Sequence, residues 1–248
     1  MRTPPMRTPP MATPTPDTAA ASSQPKSLIH ALYENPLSGT EIERRSFAAI
    51  DAEAERDGHR ACYSANEWEV VRRLIHTTAD FGLARLTRFS ADVFSASATV
   101  LRRGATLYAD SNMIRSGISV ARLQQLNPAY QRESILCHVA DADVAEQAHH
   151  GGLPRSLYAV RKARAQLDSS IILIGNAPVA LLEINRLILE EGLRPALVIG
   201  MPVGFVHVLE SKEELRTTGV PHIIIDGRRG GSPLAVACLH ALCSLAAP

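Results

Sequence analysis

The chain has 248 residues, 46% of them hydrophobic, and a net charge of +1 from 26 basic and 25 acidic side chains. Such a balance leaves no electrostatic footprint for a nucleic-acid backbone. No apolar run approaches the roughly 20 residues that cross a bilayer, so the sequence reads as a soluble, cytoplasmic protein with neither nucleic acid nor membrane as a partner.

Met1 to Pro16 is built almost wholly from Met, Arg, Thr, Pro and Ala, and Arg2-Thr-Pro-Pro-Met6 recurs as Arg7-Thr-Pro-Pro-Met11. A tract of this kind buries too little apolar surface to offset chain entropy, which predicts a disordered tail over residues 1–27. Residues 28–248 have the length of one large α/β domain. Ile42, Phe47 and Ile50 stand near helical spacing from Gly39 onward. Ser64 or Asn66 can cap a second helix whose apolar face holds Trp68, Val71, Leu74 and Ile75. Ala91 to Arg103 is a third helix, ended by Gly104. Five apolar strands follow, over residues 105–109, 134–139, 171–174, 196–200 and 222–226, alternating with helices. The alternation predicts a largely parallel sheet with helices on both faces. Ser232 caps an Ala-rich closing helix. Cys62, Cys137, Cys238 and Cys243 lack CxxC spacing and read as small buried hydrophobes, not as metal ligands or disulfides.

Two of the strands end in Gly/Pro turns that open helices: Ile171-Ile-Leu-Ile-Gly175-Asn-Ala-Pro178 and Ala196-Leu-Val-Ile-Gly200-Met-Pro-Val-Gly204-Phe205. One crossover helix fits between them, so the strands should be parallel neighbours, and ligands bind at the carboxyl ends of such strands. No G-x-G-x-x-G precedes a helix and no P-loop is present, which argues against a nucleotide cofactor. The glycines serve either a tight connection or a ligand, and the Asn176 amide suits a polar ligand. His76 is the foremost acid–base candidate, because imidazole gains and loses a proton near neutrality. It is also compatible with a plain helix–helix contact. Arg73 shares its helix face. Arg155-Ser156 opens a helix, where a guanidinium and free amides make either an anion site or an ordinary first turn. His149-His150 precedes Gly151-Gly152 in an expected loop and has no third ligand at zinc spacing.

These segments resemble the precorrin-8X methylmutase (precorrin isomerase) family of cobalamin biosynthesis. The resemblance runs from about Gly39 to Ala246. It rests on Ile42-Glu-x-x-Ser46-Phe-x-x-Ile50, Arg73-Leu-Ile-His76, Asp110-x-x-Met113-x-x-x-Gly117, Arg155-Ser156 and Ile174-Gly-Asn-Ala-Pro178. Ile199-Gly-Met-Pro-Val-Gly-Phe-Val206, Glu210-Ser-Lys212 and Gly230-Gly-Ser232 complete it. Position 43 is Glu where some members carry Tyr, and no substrate role is given to it. The resemblance implies an isomerase that moves a methyl group from carbon 11 to carbon 12 of a corrin precursor, without a cofactor or a protein-bound metal, in a homodimer. It implies His76 as the general acid and Ser46, Arg73 and Arg155 as substrate contacts. Ser156, Asn176 and the Gly200–Gly204 turn are expected to help hold the carboxylate-rimmed tetrapyrrole, with Met113, Met201, Val203 and Phe205 over its apolar face. The alternative from another class is a corrinoid carrier that binds without catalysis.

Overall fold

The computed structural model describes residues 27–247. The tract read as a tail lies, Ser27 apart, outside them. Two compact units divide between Ile42 and Glu43. In the first, α1 (Ile29–Glu34) buries no residue. α2 (Gly39–Arg56) begins there and runs into the second unit, which carries everything that follows.

One sheet is formed by β1 (Thr87–Phe89), β2 (Leu107–Ala109), β3 (Ile135–Leu136), β4 (Ile171–Ile174), β5 (Leu197–Gly200) and β6 (His222–Ile225), in the order β1-β6-β5-β4-β2-β3. All pairs are parallel except β1 with β6. The five expected strands are present, although the one expected over residues 134–139 is reduced to Ile135–Leu136, and β1 is an addition. Three residues are too few to show a period, and β1 exists because it covers the otherwise open β6 edge.

Alternation along the strands sends side chains to two cores. Leu107, Ala109, Ile171, Leu173, Leu197, Ile199, Ile223 and Ile225 face one of them. There they meet α3 (Ala65–Thr78), α4 (Val93–Arg103), α5 (Asn112–Gly117), α6 (Val120–Gln124) and α11 (Ser232–Ala246). Tyr108, Ile172, Ile174, Val198 and Ile224 face the other, covered by α8 (Arg155–Ala163), α9 (Pro178–Glu191) and α10 (Val208–Thr217). The remaining helix, α7 (Ala142–Gly151), packs on α8. It contains His149 and His150, which corrects the loop expected there: the helix continues until Gly152 adopts a left-handed conformation at φ 67°. Cys238 and Cys243 are buried as expected, but Cys137 is half-buried and Cys62 is exposed.

After β2 the chain turns to the α11 face, and after β4 to the α9 face. The carboxyl ends of these neighbouring strands therefore bound the topological switch point, where open α/β sheets keep their crevice. Here the crevice is closed. Asp110, directly after β2 and 1% exposed, accepts the N–H groups of Gly175 (3.1 Å), Asn176 (2.9 Å) and Ala177 (2.7 Å). Burial pushes its carboxyl above the usual range, while the three amide bonds pull it back. Replacing Asp110 by Ala should strand these amides. Only the Gly175 amide is fully buried; at about 1–3 kcal/mol for an unpaired buried group, urea denaturation should show a loss of at least about 1 kcal/mol. A loss below about 1 kcal/mol would mean that water takes over the carboxylate's place.

Candidate active site

Helix α3 carries Arg73 and His76, and its sequence fixes its orientation. Ser64 caps it with a reciprocal box: its Oγ accepts the Glu67 N–H, and Glu67 Oε2 accepts the Ser64 N–H at 2.8 Å. Trp68, Val71, Leu74 and Ile75 are buried, as their spacing predicts. Positions 73, 76 and 77 consequently share another face, and there His76 and Thr77 are exposed while Arg73 is half-buried.

Phe47, from α2, organises this face. Its ring lies 5.1 Å from the His76 ring at an interplanar angle of 61°. The Arg72 and Arg73 guanidinium carbons lie 4.5 and 5.1 Å from its centroid, both within cation–π range. Arg72 is held by Asp51 (2.8 Å) and Glu69 (2.6 Å), and Arg73 by Glu43 at 3.1 Å. Glu43 thus offsets the cation beside His76. Ser46 is half-buried on α2, next to Phe47.

A cleft of about 330 Å³ opens between α3, α5 and the start of α11, with Arg73, Thr77, Met113, Ser232, Val236 and His240 among its walls. His76 is exposed and is not itself among these walls; it lies in sequence between Arg73 and Thr77, which are. Met113 is 65% exposed, an apolar side chain open to solvent. The positive end of the 15-residue helix α11 opens on the same cleft, with Ser232 fixed by a 3.0 Å hydroxyl contact to Ser111. A second cleft, of about 390 Å³, flanks the next stretch of α3 and of the α11 entry. Thr78, Asp80, Val203, Phe205, Arg228 and Gly230 help to line it, and the Arg228 guanidinium carbon lies 5.5 Å from the Phe205 centroid.

The other expected residues divide. Gly204 lines the second cleft, and the Asn176 side chain is exposed. Gly200 is a correction: it is buried in β5, where a Cβ would lie 2.8 Å from a Leu215 methyl, so its smallness serves core packing and not a ligand. Met201 is likewise core, at 0% exposure. The amides at Gly175–Ala177 are occupied by Asp110, so the start of α9 is not an open anion site. Arg155 is exposed and Ser156 buried on α8, and neither lines these two clefts.

Sequence reasoning passed over His240. It stands in an apolar helix at three- and four-residue spacing from Val236 and Ala237, which also line the cleft, and that spacing was the available signal. Its Nε2 accepts the Ser119 N–H at 3.1 Å, which places the ring proton on Nδ1. Burial, then Arg122 and Arg73, push its pKa down to about 4.

Comparison with known proteins supplies the family. The sequence profile of precorrin-8X methylmutase matches residues 41–245. The chain belongs to the precorrin-8X methylmutase family. It is 42% identical to a cobalt-precorrin-8 methylmutase of Leptospira interrogans over 82% of this chain and 92% of that one. It is 37% identical to a precorrin-8X methylmutase of Pseudomonas aeruginosa, over 82% and 94%. The crystal structure of the precorrin-8X methylmutase from Thermus thermophilus superposes with a TM-score of 0.73 at 42% identity, over 83% of this chain and 97% of that one. Methylmutases are isomerases, so the chain is an enzyme of cobalamin biosynthesis. No helix among the described residues is long and apolar enough to cross a membrane.

The His240 assignment has a measurable consequence. The unfolded chain takes up this proton near the ordinary 6.5 and the folded chain only near 4. The contribution to stability is therefore complete above pH 6.5 and is lost as pH falls towards 4. In His240→Gln the acid slope of the unfolding free energy over that window should be shallower by up to about 1.4 kcal/mol per pH unit. Equal slopes in variant and wild type would contradict the assignment.

Proposed function

We propose that this methylmutase moves a methyl group from carbon 11 to carbon 12 of precorrin-8X, or of its cobalt-bearing counterpart, giving hydrogenobyrinate or cobyrinate. The observation that carries the reading is the placement of His76, exposed on α3 between Arg73 and Thr77, two walls of the cleft. His76 protonates the conjugated ring, which makes it electron-poor. The methyl then migrates with its bonding pair to the neighbouring carbon, and the proton returns to the imidazole. Atoms and electrons balance, and nothing is oxidised or reduced. His240, with its pKa near 4, is too weak a base to hold that proton at neutral pH.

The substrate presents carboxylates around a flat apolar face. Arg73, Ser46, Asn176 and the turn at Gly204 meet the rim, while Met113, Val203 and Phe205 meet the face. A substrate carboxylate arriving at Arg73 competes with Glu43 for the guanidinium. The first cleft, at about 330 Å³, sits at the low end of the roughly 300–1,000 Å³ of drug-sized sites, and a tetrapyrrole is larger than a drug-sized ligand. A homodimer completes the site in this reading, and Arg155, with Ser156, contributes across the subunit interface. Phe205 is 85% exposed, Val206 69% and Leu209 44%, an apolar patch beside the second cleft that suits such an interface. Residues 28–248 carry the chemistry in the cytoplasm, and residues 1–27 take no part in it.

His76→Ala should lower turnover of precorrin-8X by at least about 100-fold, the scale of a lost general acid. Binding of hydrogenobyrinic acid, followed by its visible spectrum, should persist. A His76→Ala enzyme of wild-type activity would refute the acid. An unchanged chromophore with the wild-type enzyme would refute the reaction. Phe205→Asp should shift the assembly to monomer in sedimentation and lower activity; an unaffected dimer would place the interface elsewhere.

A further inference from the structure

Lys212 is unusual among the buried side chains. It lies on α10 at 2% exposure, and a buried ammonium is costly unless each of its donors is matched. Here each is. Nζ donates to the carbonyls of Ile225 (2.7 Å), Gly227 (2.8 Å) and Arg229 (2.8 Å). Lys212 lines neither of the two clefts, so its amine does not contact a ligand there.

All three acceptors belong to one segment, residues 225–229, which leads through Gly230 and Gly231 into α11. That segment is also fastened to the turn after β5. Gly231 N–H donates to Met201 O at 2.9 Å, and Gly204 N–H to Arg228 O at 3.3 Å. Gly230 approaches so closely that a Cβ there would overlap the Met201 carbonyl. The segment and its continuation supply Arg228, Arg229 and Gly230 to the second cleft and Ser232 to the first.

We propose that Lys212 is a positioning residue for the reaction: its ammonium gathers three carbonyls of residues 225–229 and so sets the wall shared by the two clefts. An apolar side chain of equal length fills the space but leaves three converging carbonyl dipoles unpaired. A neutral amine has only two N–H donors for three acceptors, so one carbonyl is released and the wall loosens.

Burial pulls the Lys212 pKa down to about 8, against the raising effect of Asp226. Asp226 is the nearest acid on the segment and is itself paired with Arg88 of β1 at 3.0 Å and with Arg216 of α10. Arg229 is paired at 2.6 Å with Asp80, just beyond α3. Between pH 8 and the ordinary 10.5 the unfolded chain holds more of this proton than the folded chain. Lys212 therefore makes the fold more stable, not less, as pH rises through that window. A merely structural lysine would not weaken ligand binding there, whereas a positioning lysine would.

The inference rests on the corrin-binding reading of the clefts, and its test separates the two. Hydrogenobyrinic acid is titrated spectrally from pH 7 to 9 into wild type, Lys212→Arg and Lys212→Met. The wild-type Kd should rise about tenfold across the loss of one proton near pH 8. Lys212→Arg, charged throughout, should show a flat profile. Lys212→Met should have a Kd already raised at pH 7, and its KM for precorrin-8X should rise far more than its kcat falls. A flat wild-type profile, or wild-type affinity in Lys212→Met at pH 7, would overturn the proposal. Amide hydrogen exchange of residues 225–231 in the free protein decides the matter without a ligand. Corrected for intrinsic rates, exchange should be faster in Lys212→Met than in the wild type or Lys212→Arg, and unchanged protection would contradict the role. Should the corrin fail to bind at every pH while exchange is faster in Lys212→Met, the site reading falls and the positioning role stands.

Discussion

Asp110 joins the two halves of the sheet at the place where the chain changes face. Its carboxylate takes up the three amides that open α9, and those amides are the groups an open α/β sheet ordinarily offers to an anionic ligand. With those amides taken up by the protein's own acid, the two clefts described lie elsewhere, one between α3, α5 and α11 and one against the turn after β5. The neighbouring contacts follow from the same closure. Gly175 lies so close to the start of α11 that a Cβ would fall 2.8 Å from the Ser232 Cα. Ser111, next to Asp110, meets the Ser232 hydroxyl. A carboxylate buried in the sheet thus places the first turn of the helix that walls the cleft.

Much of this was legible in the sequence because periodicity is a local signal. The α3 pattern gave both the buried stripe, Trp68, Val71, Leu74 and Ile75, and by exclusion the face of Arg73, His76 and Thr77. The five parallel strands announced themselves as apolar runs before turns. What periodicity does not carry is partnership across the fold. Gly200 and Gly175 look alike in sequence, yet one packs against Leu215 inside the core and the other makes room for α11. Asp110 stands in sequence only as part of Asp110-x-x-Met113, and its three amide partners come into view when β4 is laid beside β2. His240 is hidden in an apolar helix, and β1 is too short for any pattern.

The electrostatics of the site show why its two imidazoles differ. His240 is enclosed, receives an N–H from Ser119 and has Arg122 and Arg73 nearby, all of which disfavour its cationic form. His76 is exposed, rests against the Phe47 ring, and has the charge of Arg73 balanced by Glu43. One ring is fixed as a neutral hydrogen-bonding group. The other is exposed to solvent.

The account stands most directly on where a corrin ring seats relative to His76. A crystal structure with hydrogenobyrinic acid measures this. The account predicts the ring edge that carries carbons 11 and 12 beside α3, with the His76 imidazole within hydrogen-bonding reach of it, roughly 2.6–3.2 Å or one water away. A ring seated with that edge turned from α3, or with His240 in place of His76 at the migrating methyl, would contradict it.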